Sequence, residues 1–382
     1  MSNIVSDVAA LQDYLRLFKN MDIWFMLMLV AFLMIFIRKF EWSTCLAVLL
    51  SAVSSMVTYI FLCQKVKGMS PEALFGTQDT MIAGVVCAIT VVIAIGVFLG
   101  TVKTWQYLVA GVLFSPAFMF LEFILWEWLP GVTQGTVTDP GGGILVHLFA
   151  AYWGLGVAIG VREKRAFDEP MLTSKHSVSF VWLAAMVLFV LWPSFVTSLL
   201  PLEQNTMASI NCYFSGFGSI VTAYITCAAV SKTHRVNPLV YTYAMLAGPV
   251  ASSSTLLLAT PWASLLIGAA AGTLSALSFT YLNAWLCGKI KALDVMGVHN
   301  LHGVGGWISL LTGAMLAGSI VNVWAGIITA ALGIVAGIVT GLVLLATRGD
   351  MPLEKLFNDD DVFEGFNPDP RVEPGEGVVA AK

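Results

Sequence analysis

The sequence predicts an all-α membrane protein of eleven spanning helices, built as two oppositely oriented five-helix units plus one added helix. Three observations carry that fold class. The 382 residues are 58% hydrophobic and 11% charged, with a mean hydropathy of +0.85, the composition of a polytopic membrane chain. Eleven apolar runs each approach the ~20 residues that cross a hydrocarbon core of roughly 30 Å. Finally, one unusual pattern occurs twice, half a chain apart: Asp139-Pro-Gly-Gly-Gly-Ile-Leu-Val-His147 and Asp294-Val-Met-Gly-Val-His299-Asn-Leu-His302. Each opens on an Asp and reaches a His eight residues later through a largely apolar, glycine-containing segment.

Residues 1–21 form a polar, mixed-charge lead (Asp7, Asp13, Arg16, Lys19). A signal peptide would show a basic start and a small-residue cleavage site behind its apolar run, so an uncleaved extracellular lead is expected. Spans follow near 22–38, 43–63, 80–99, 105–128, 141–161, 178–199, 209–230, 239–259, 262–286, 297–318 and 322–347, separated by polar, Gly or Pro residues. Repeat one covers about 22–161, repeat two about 178–318, and helix eleven about 322–347. The tail, 348–382, holds nine acidic and four basic residues with several Pro and Gly. It has too few apolar residues for a core of its own. A cytosolic, solvated acidic tail is expected, with regulator binding or subunit contact as its alternative use.

Basic residues orient the spans. With the N-terminus outside, the inner short loops hold eleven: Arg38, Lys39, Lys103, Arg162, Lys164, Arg165, Lys175, Lys232, Arg235, Lys289 and Lys291. The outer side holds four, Arg16, Lys19, Lys65 and Lys67. N-terminus out and C-terminus in is the expectation. The six cysteines (45, 63, 87, 212, 227, 287) lack metal spacing and lie mostly in apolar runs or at their ends. They therefore read as small hydrophobes.

The two marked segments open spans five and ten. An odd number of spans per unit makes the copies run in opposite directions, which places binding at the repeat interface. Asp139 then lies at the outer face and Asp294 at the inner face. Eight helical residues carry each His about 12 Å inward. The two imidazoles thus approach the midplane of a ~30 Å core from opposite sides.

Each residue also has a bland reading. Asp139 before Pro140 resembles a helix N-cap with proline at the first helical position, and Asp294 a similar helix start. Gly141, Gly142, Gly143, Gly303, Gly305 and Gly306 suit close helix approach. For His147 and His302 the bland alternative is an imidazole hydrogen-bonded within the bundle. Two at matched repeat positions favour function, because intramembrane ionisable residues are costly. His299, nearer the cytoplasmic end, either lines an inner vestibule or hydrogen-bonds there. His176 and His234 fall in basic inner loops and read as solvated.

These motifs resemble those of the ammonium transporter/Rhesus glycoprotein family, and within it the Rhesus branch. The resemblance runs from about residue 80 to 346. It rests on Asp139-x-Gly-Gly-x-x-x-His147 with Ala-Ala-Tyr-Trp-Gly-Leu (150–155), Leu-Trp-Pro-Ser-Phe (191–195), Ala208-Ser-Ile-Asn-Cys-Tyr213, Leu-Ala-Gly (246–248) and Asp294-x-x-Gly-Val-His-Asn-Leu-His-Gly303. It implies a homotrimer of eleven-helix protomers, each with a narrow pore. His147 and His302 match the family's twin pore histidines, Asp139 its buried outer acid and Phe195 one of two gate phenylalanines. Glu122 matches an acid near the outer end of the Rhesus pore. Three departures point to lower-affinity conduction: Val86 falls where the second gate phenylalanine is expected, Leu199 where a cation-binding serine is expected, and Pro249 follows Leu-Ala-Gly.

The expected function is an ammonia/ammonium (and methylammonium) channel or transporter. A bare cation pays a large desolvation penalty in an apolar bore, whereas neutral ammonia does not. Neutral imidazole both donates and accepts hydrogen bonds. Carbon dioxide on the same fold is the alternative cargo. A metalloenzyme using His147, His299 and His302 as ligands is disfavoured: HExxH is missing and no acid stands ready as a base. No enzyme activity, cofactor, metal or nucleic acid is therefore expected. The partners expected are ammonia or ammonium, the lipid bilayer and two further copies of the chain. With no glycosylation sequon in the sequence, a bacterial or archaeal plasma (inner) membrane is the expected location.

Overall fold

In the computed structural model, which describes residues 2–35, 40–167, 173–359 and 362–363, every regular element is helical. Eight helices among the described residues are long and apolar enough to cross a membrane. Asp79–Ile95 is a shorter apolar helix. The predicted eighth span is broken into Pro238–Ala244 and Ala247–Ala251, with turns continuing toward residue 258. Pro249 fits this break, since a proline ring removes one helical hydrogen bond. The predicted tenth span runs as a π-turn at His299–Gly303 into the helix Val304–Ala317. Arg38, Lys39 and the tail from residue 364 lie outside the described residues.

The first helix runs unbroken over Ser2–Met34, so the polar lead is helical and continuous with the first span. Several of its polar residues bind groups remote in sequence. Asp13 accepts from the Gln78 amide at 2.6 Å, and Arg16 pairs with Asp79. Lys19 donates to the Thr197 carbonyl at 2.8 Å and to Asn205, while Ser194 donates to Asp22 at 2.6 Å.

Glycines set the closest helix crossings. A Cβ on Gly156 would stand 2.4 Å from the Ile334 carbonyl, and one on Gly337 2.1 Å from the Trp153 carbonyl. The helices Phe149–Val161 and Val321–Arg348 therefore touch backbone to backbone, a contact that small residues make possible in a bilayer. The two marked segments meet where Gly143 faces Ser309 and Gly306 faces the Gly143 carbonyl. At the far ends of the helices Phe149–Val161 and Val321–Arg348, Glu163 binds Arg348 at 3.0 Å and Arg165 at 2.8 Å. The Asp359 carboxylate accepts from the amides of Glu41, Trp42 and Ser43 at 2.9–3.0 Å, capping the start of the helix Trp42–Lys65.

Candidate functional site

Both marked segments begin with the same backbone device. Asp139 Oδ2 accepts the Ile144 and Leu145 amides, each at 2.9 Å. Asp294 accepts the Val298 amide on Oδ1 and the His299 amide on Oδ2, also at 2.9 Å. The glycine three residues after each Asp is left-handed, Gly142 at φ 78° and Gly297 at φ 67°, a conformation only glycine adopts cheaply. Each carboxylate thus reaches past a turn to hold otherwise orphaned amides of a helix start. This corrects the simple N-cap reading of Asp139, because the helix opens at Gly143 and Pro140 precedes it. Both openings are single π-turns, Gly143–Leu148 and His299–Gly303. Such π-bulges inside helices are frequent at functional sites.

The π-turns carry the two imidazoles together. His302 Nδ1 lies 3.0 Å from His147 Nδ1, with ring centroids 5.1 Å apart and planes 20° from parallel. One ring must donate across this contact and the other accept. The donor ring then has a bare Nε2 and the acceptor ring a protonated one, so the pair offers one acceptor and one donor away from the contact. His147 is 1% exposed, and its Nε2 has no partner within the protein. The Trp192 Nε1 beside it is likewise buried and unpartnered, with ring centroids 5.9 Å apart.

Both histidines line a narrow cavity of about 60 Å³ whose other walls are mainly apolar, among them Met26, Val30, Ile89, Leu188, Leu246 and Val298. That volume is several times what one water molecule requires. A wider vestibule of about 390 Å³ is lined by Val86, Glu122, Trp126, Asp139 and Leu199. Phe195 borders both spaces and meets the His147 ring edge-on, with centroids 5.8 Å apart.

Glu122 accepts from the Tyr59 hydroxyl at 2.8 Å and from Lys67 at 3.1 Å, so its charge is already partnered. Asp139 takes a third bond from Ser254 at 2.9 Å, and Ser254 accepts in turn from Ser309. Its role in this structure is to hold the backbone. His299 stands apart from the cavity walls, its ring edge-on to Tyr152 with centroids 5.7 Å apart. Three imidazoles therefore do not converge on one point. Sequence reasoning passed over Trp192 as part of a Trp-Pro-Ser-Phe motif; its signal was an indole N–H in an otherwise apolar span.

Comparison with known proteins follows from this geometry. The model of the Ammonium Transporter Family matches residues 5–348. Ammonium transporter Rh type B of Sus scrofa is 33% identical over 250 residues, covering 63% of this chain and 52% of that protein. Ammonium transporter Rh type A of Canis lupus familiaris is 30% identical over 306 residues, covering 78% and 70%. The chain thus spans about half the length of the type B relative. Among solved structures, that of Nitrosomonas europaea Rh50, described with the mechanism of conduction by the Rhesus family of channels, superposes with a TM-score of 0.86. Its identity is 26%, with 93% of each chain covered.

Proposed function

Because the chain belongs to the ammonium transporter family, in its Rhesus-type branch, we propose that it is a homotrimeric, multi-pass ammonia/ammonium channel of a plasma or inner membrane, with one twin-histidine pore in each protomer. Eleven crossings with the N-terminus out and C-terminus in accord with the element order and with the excess of basic residues in the inner loops.

One observation carries the reading. An imidazole pair with a buried, unpartnered nitrogen sits in a narrow apolar cavity, and one phenylalanine separates that cavity from a wide outer vestibule. A cation entering such a bore loses most of its hydration. Ammonia loses little and recovers it at the imidazoles, because it accepts from the protonated Nε2 and donates to the bare one. Potassium and sodium gain no such bonds. The vestibule, with the aromatic Trp126 in its wall, collects ammonium, which releases its proton to vestibule water before passing Phe195. Carbon dioxide can only accept hydrogen bonds, so it would leave half of the pair's capacity unused, and no feature of the site favours it.

The test is flux into proteoliposomes, read by stopped-flow pH recording together with membrane current. His302→Leu and His147→Leu should each change ammonia or methylammonium flux, or its selectivity, by about tenfold, the equivalent of one lost hydrogen bond. Unchanged rate and selectivity in both single variants would remove the pair from the pathway. A carbon dioxide flux above empty liposomes, lost in the same variants, would transfer the site to the other cargo.

A further inference from the structure

One charged cluster is left unused by the reading above. Glu122, on the helix Gln106–Phe123, accepts from the Tyr59 hydroxyl at 2.8 Å and from the Lys67 ammonium at 3.1 Å. Tyr59 is itself 2% exposed, and the Lys67 nitrogen lies 5.6 Å from the centroid of its ring. The ammonium is therefore held as small organic cations are held, by a carboxylate on one side and an aromatic face on another.

Two spaces share this carboxylate. It lines the vestibule of about 390 Å³, and it also lines a side groove of about 730 Å³, from which Lys67 reaches it. An ionised carboxylate has about four acceptor positions, so the two donors leave room for more hydrogen bonds. Its single charge sets the tighter limit. A second cation within a few ångströms of the Lys67 nitrogen would be repelled, so the cluster holds one cation at a time. The end of a lysine is a primary alkylammonium with three N–H donors, the chemistry of methylammonium and close to that of ammonium. Two features let it leave. The Lys67 side chain is 42% exposed, against 15% for Glu122. It also stands past the end of the helix Trp42–Lys65, beside the left-handed Gly68, in a turn and not in a packed helix. Its departure leaves a largely buried carboxylate charge uncompensated, which favours the entry of another cation.

We propose that Glu122 and Tyr59 form an alkylammonium seat in the vestibule wall that the chain's own Lys67 fills, so that ammonium or methylammonium must displace Lys67 to occupy it. The inference rests on the channel reading above and adds a regulatory contact to it. The seat holds the cation before its proton is released, and the tethered lysine lowers the apparent affinity by competing for the same carboxylate.

The experiment compares wild type, Lys67→Gln, Glu122→Gln and the double variant, by flux into proteoliposomes and by thermal unfolding of the purified proteins. Lys67→Gln should lower the methylammonium concentration for half-maximal flux about fivefold, the size of one partly exposed ion pair. In the Glu122→Gln background the same substitution should have no effect. Methylammonium chloride should raise the melting temperature of Lys67→Gln above its value in equal tetramethylammonium chloride, which has no N–H to donate. The double variant should show no such rise. Lys67→Arg keeps a cation in the seat and should behave as wild type. An unchanged half-saturation in Lys67→Gln, or no rise in its melting temperature, would overturn the seat. A gain in affinity that survives in Glu122→Gln would overturn it too, because Lys67 would then only repel cations from the surface. A wild type that passes no methylammonium would remove the channel reading, while the melting temperatures would still decide the seat.

Discussion

Asp139–His147 and Asp294–His302 share a backbone and differ in what surrounds it. In both, a carboxylate holds two amides across a left-handed glycine, and a π-turn then delivers an imidazole. Around the first, Ser254 adds a third bond to the carboxylate, and the segment looks onto the wide vestibule. Around the second, the Asp294 amide binds the Cys287 sulfur at 3.3 Å, and the Phe279 ring closes over Gly297. The comparison teaches that the repeat preserves the part that sets histidine position, while the neighbouring side chains are fitted to unlike mouths.

Breaking the shared part should have the largest effect. Asp139→Ala leaves two amides and a hydroxyl without their acceptor, at about 1–3 kcal/mol for each buried orphan. Asp294→Ala leaves two amides. Both variants should lose folded protein in detergent, Asp139→Ala the more, by thermal unfolding of the purified protein. If Asp294→Ala proves the more harmful, the third bond is not what separates the two segments. Asp139→Asn keeps an acceptor oxygen, so it should retain most of the stability that Asp139→Ala loses.

The glycines sharpen the comparison at a smaller scale. A left-handed non-glycine residue costs roughly 1–2 kcal/mol, so Gly142→Ala and Gly297→Ala should both destabilise. Their neighbours separate them. A Cβ on Gly142 meets the movable Val146 side chain at 2.8 Å, whereas one on Gly297 meets the Phe279 ring at 2.2 Å. Gly297→Ala should therefore be the worse in thermal unfolding. Phe279→Leu in that background should recover part of the loss, and no recovery would leave the backbone angle as the whole cost.

Most of this device was legible in the sequence. The Asp-to-His spacing occurs in both halves, and the apolar runs put it at the openings of two predicted spans. The π-turns were not legible, because their sequences, Gly-Ile-Leu-Val-His-Leu and His-Asn-Leu-His-Gly, carry no local signal that distinguishes them from α-helix. Nor was the true start of the first helix. Asp13, Arg16 and Lys19 read as a polar lead because their partners at Gln78, Asp79, Thr197 and Asn205 are remote in sequence. His299 was within reach of the right face by spacing alone, yet the π-turn sends it to Tyr152. Local pattern reads elements well and non-local satisfaction of charge poorly.

The far ends of the two histidine helices give the smallest and last contrast. Beyond His302 the helix ends at Ala317 on the left-handed Gly318. Beyond His147 it ends at Val161, and Glu163 ties that end to Arg165 and Arg348. Burial alone would raise the Glu163 carboxyl, but the bonds from Arg165, with the Arg348 charge beside them, outweigh it and hold it below the usual range. A depressed folded-state value means this stabilisation is complete above the unfolded carboxyl's ~4.3 and disappears as pH falls through the folded value. Wild type should thus be the more stable at neutral pH, by about 1–2 kcal/mol over Glu163→Gln, and the two melting curves should converge on acidification. Arg165 supplies most of the bonds that hold the carboxyl down, so most of the difference should vanish in Arg165→Gln and persist in Arg348→Gln. A gap between wild type and Glu163→Gln that stays constant from neutral to acid would mean that packing, not charge, anchors the far end of the His147 helix.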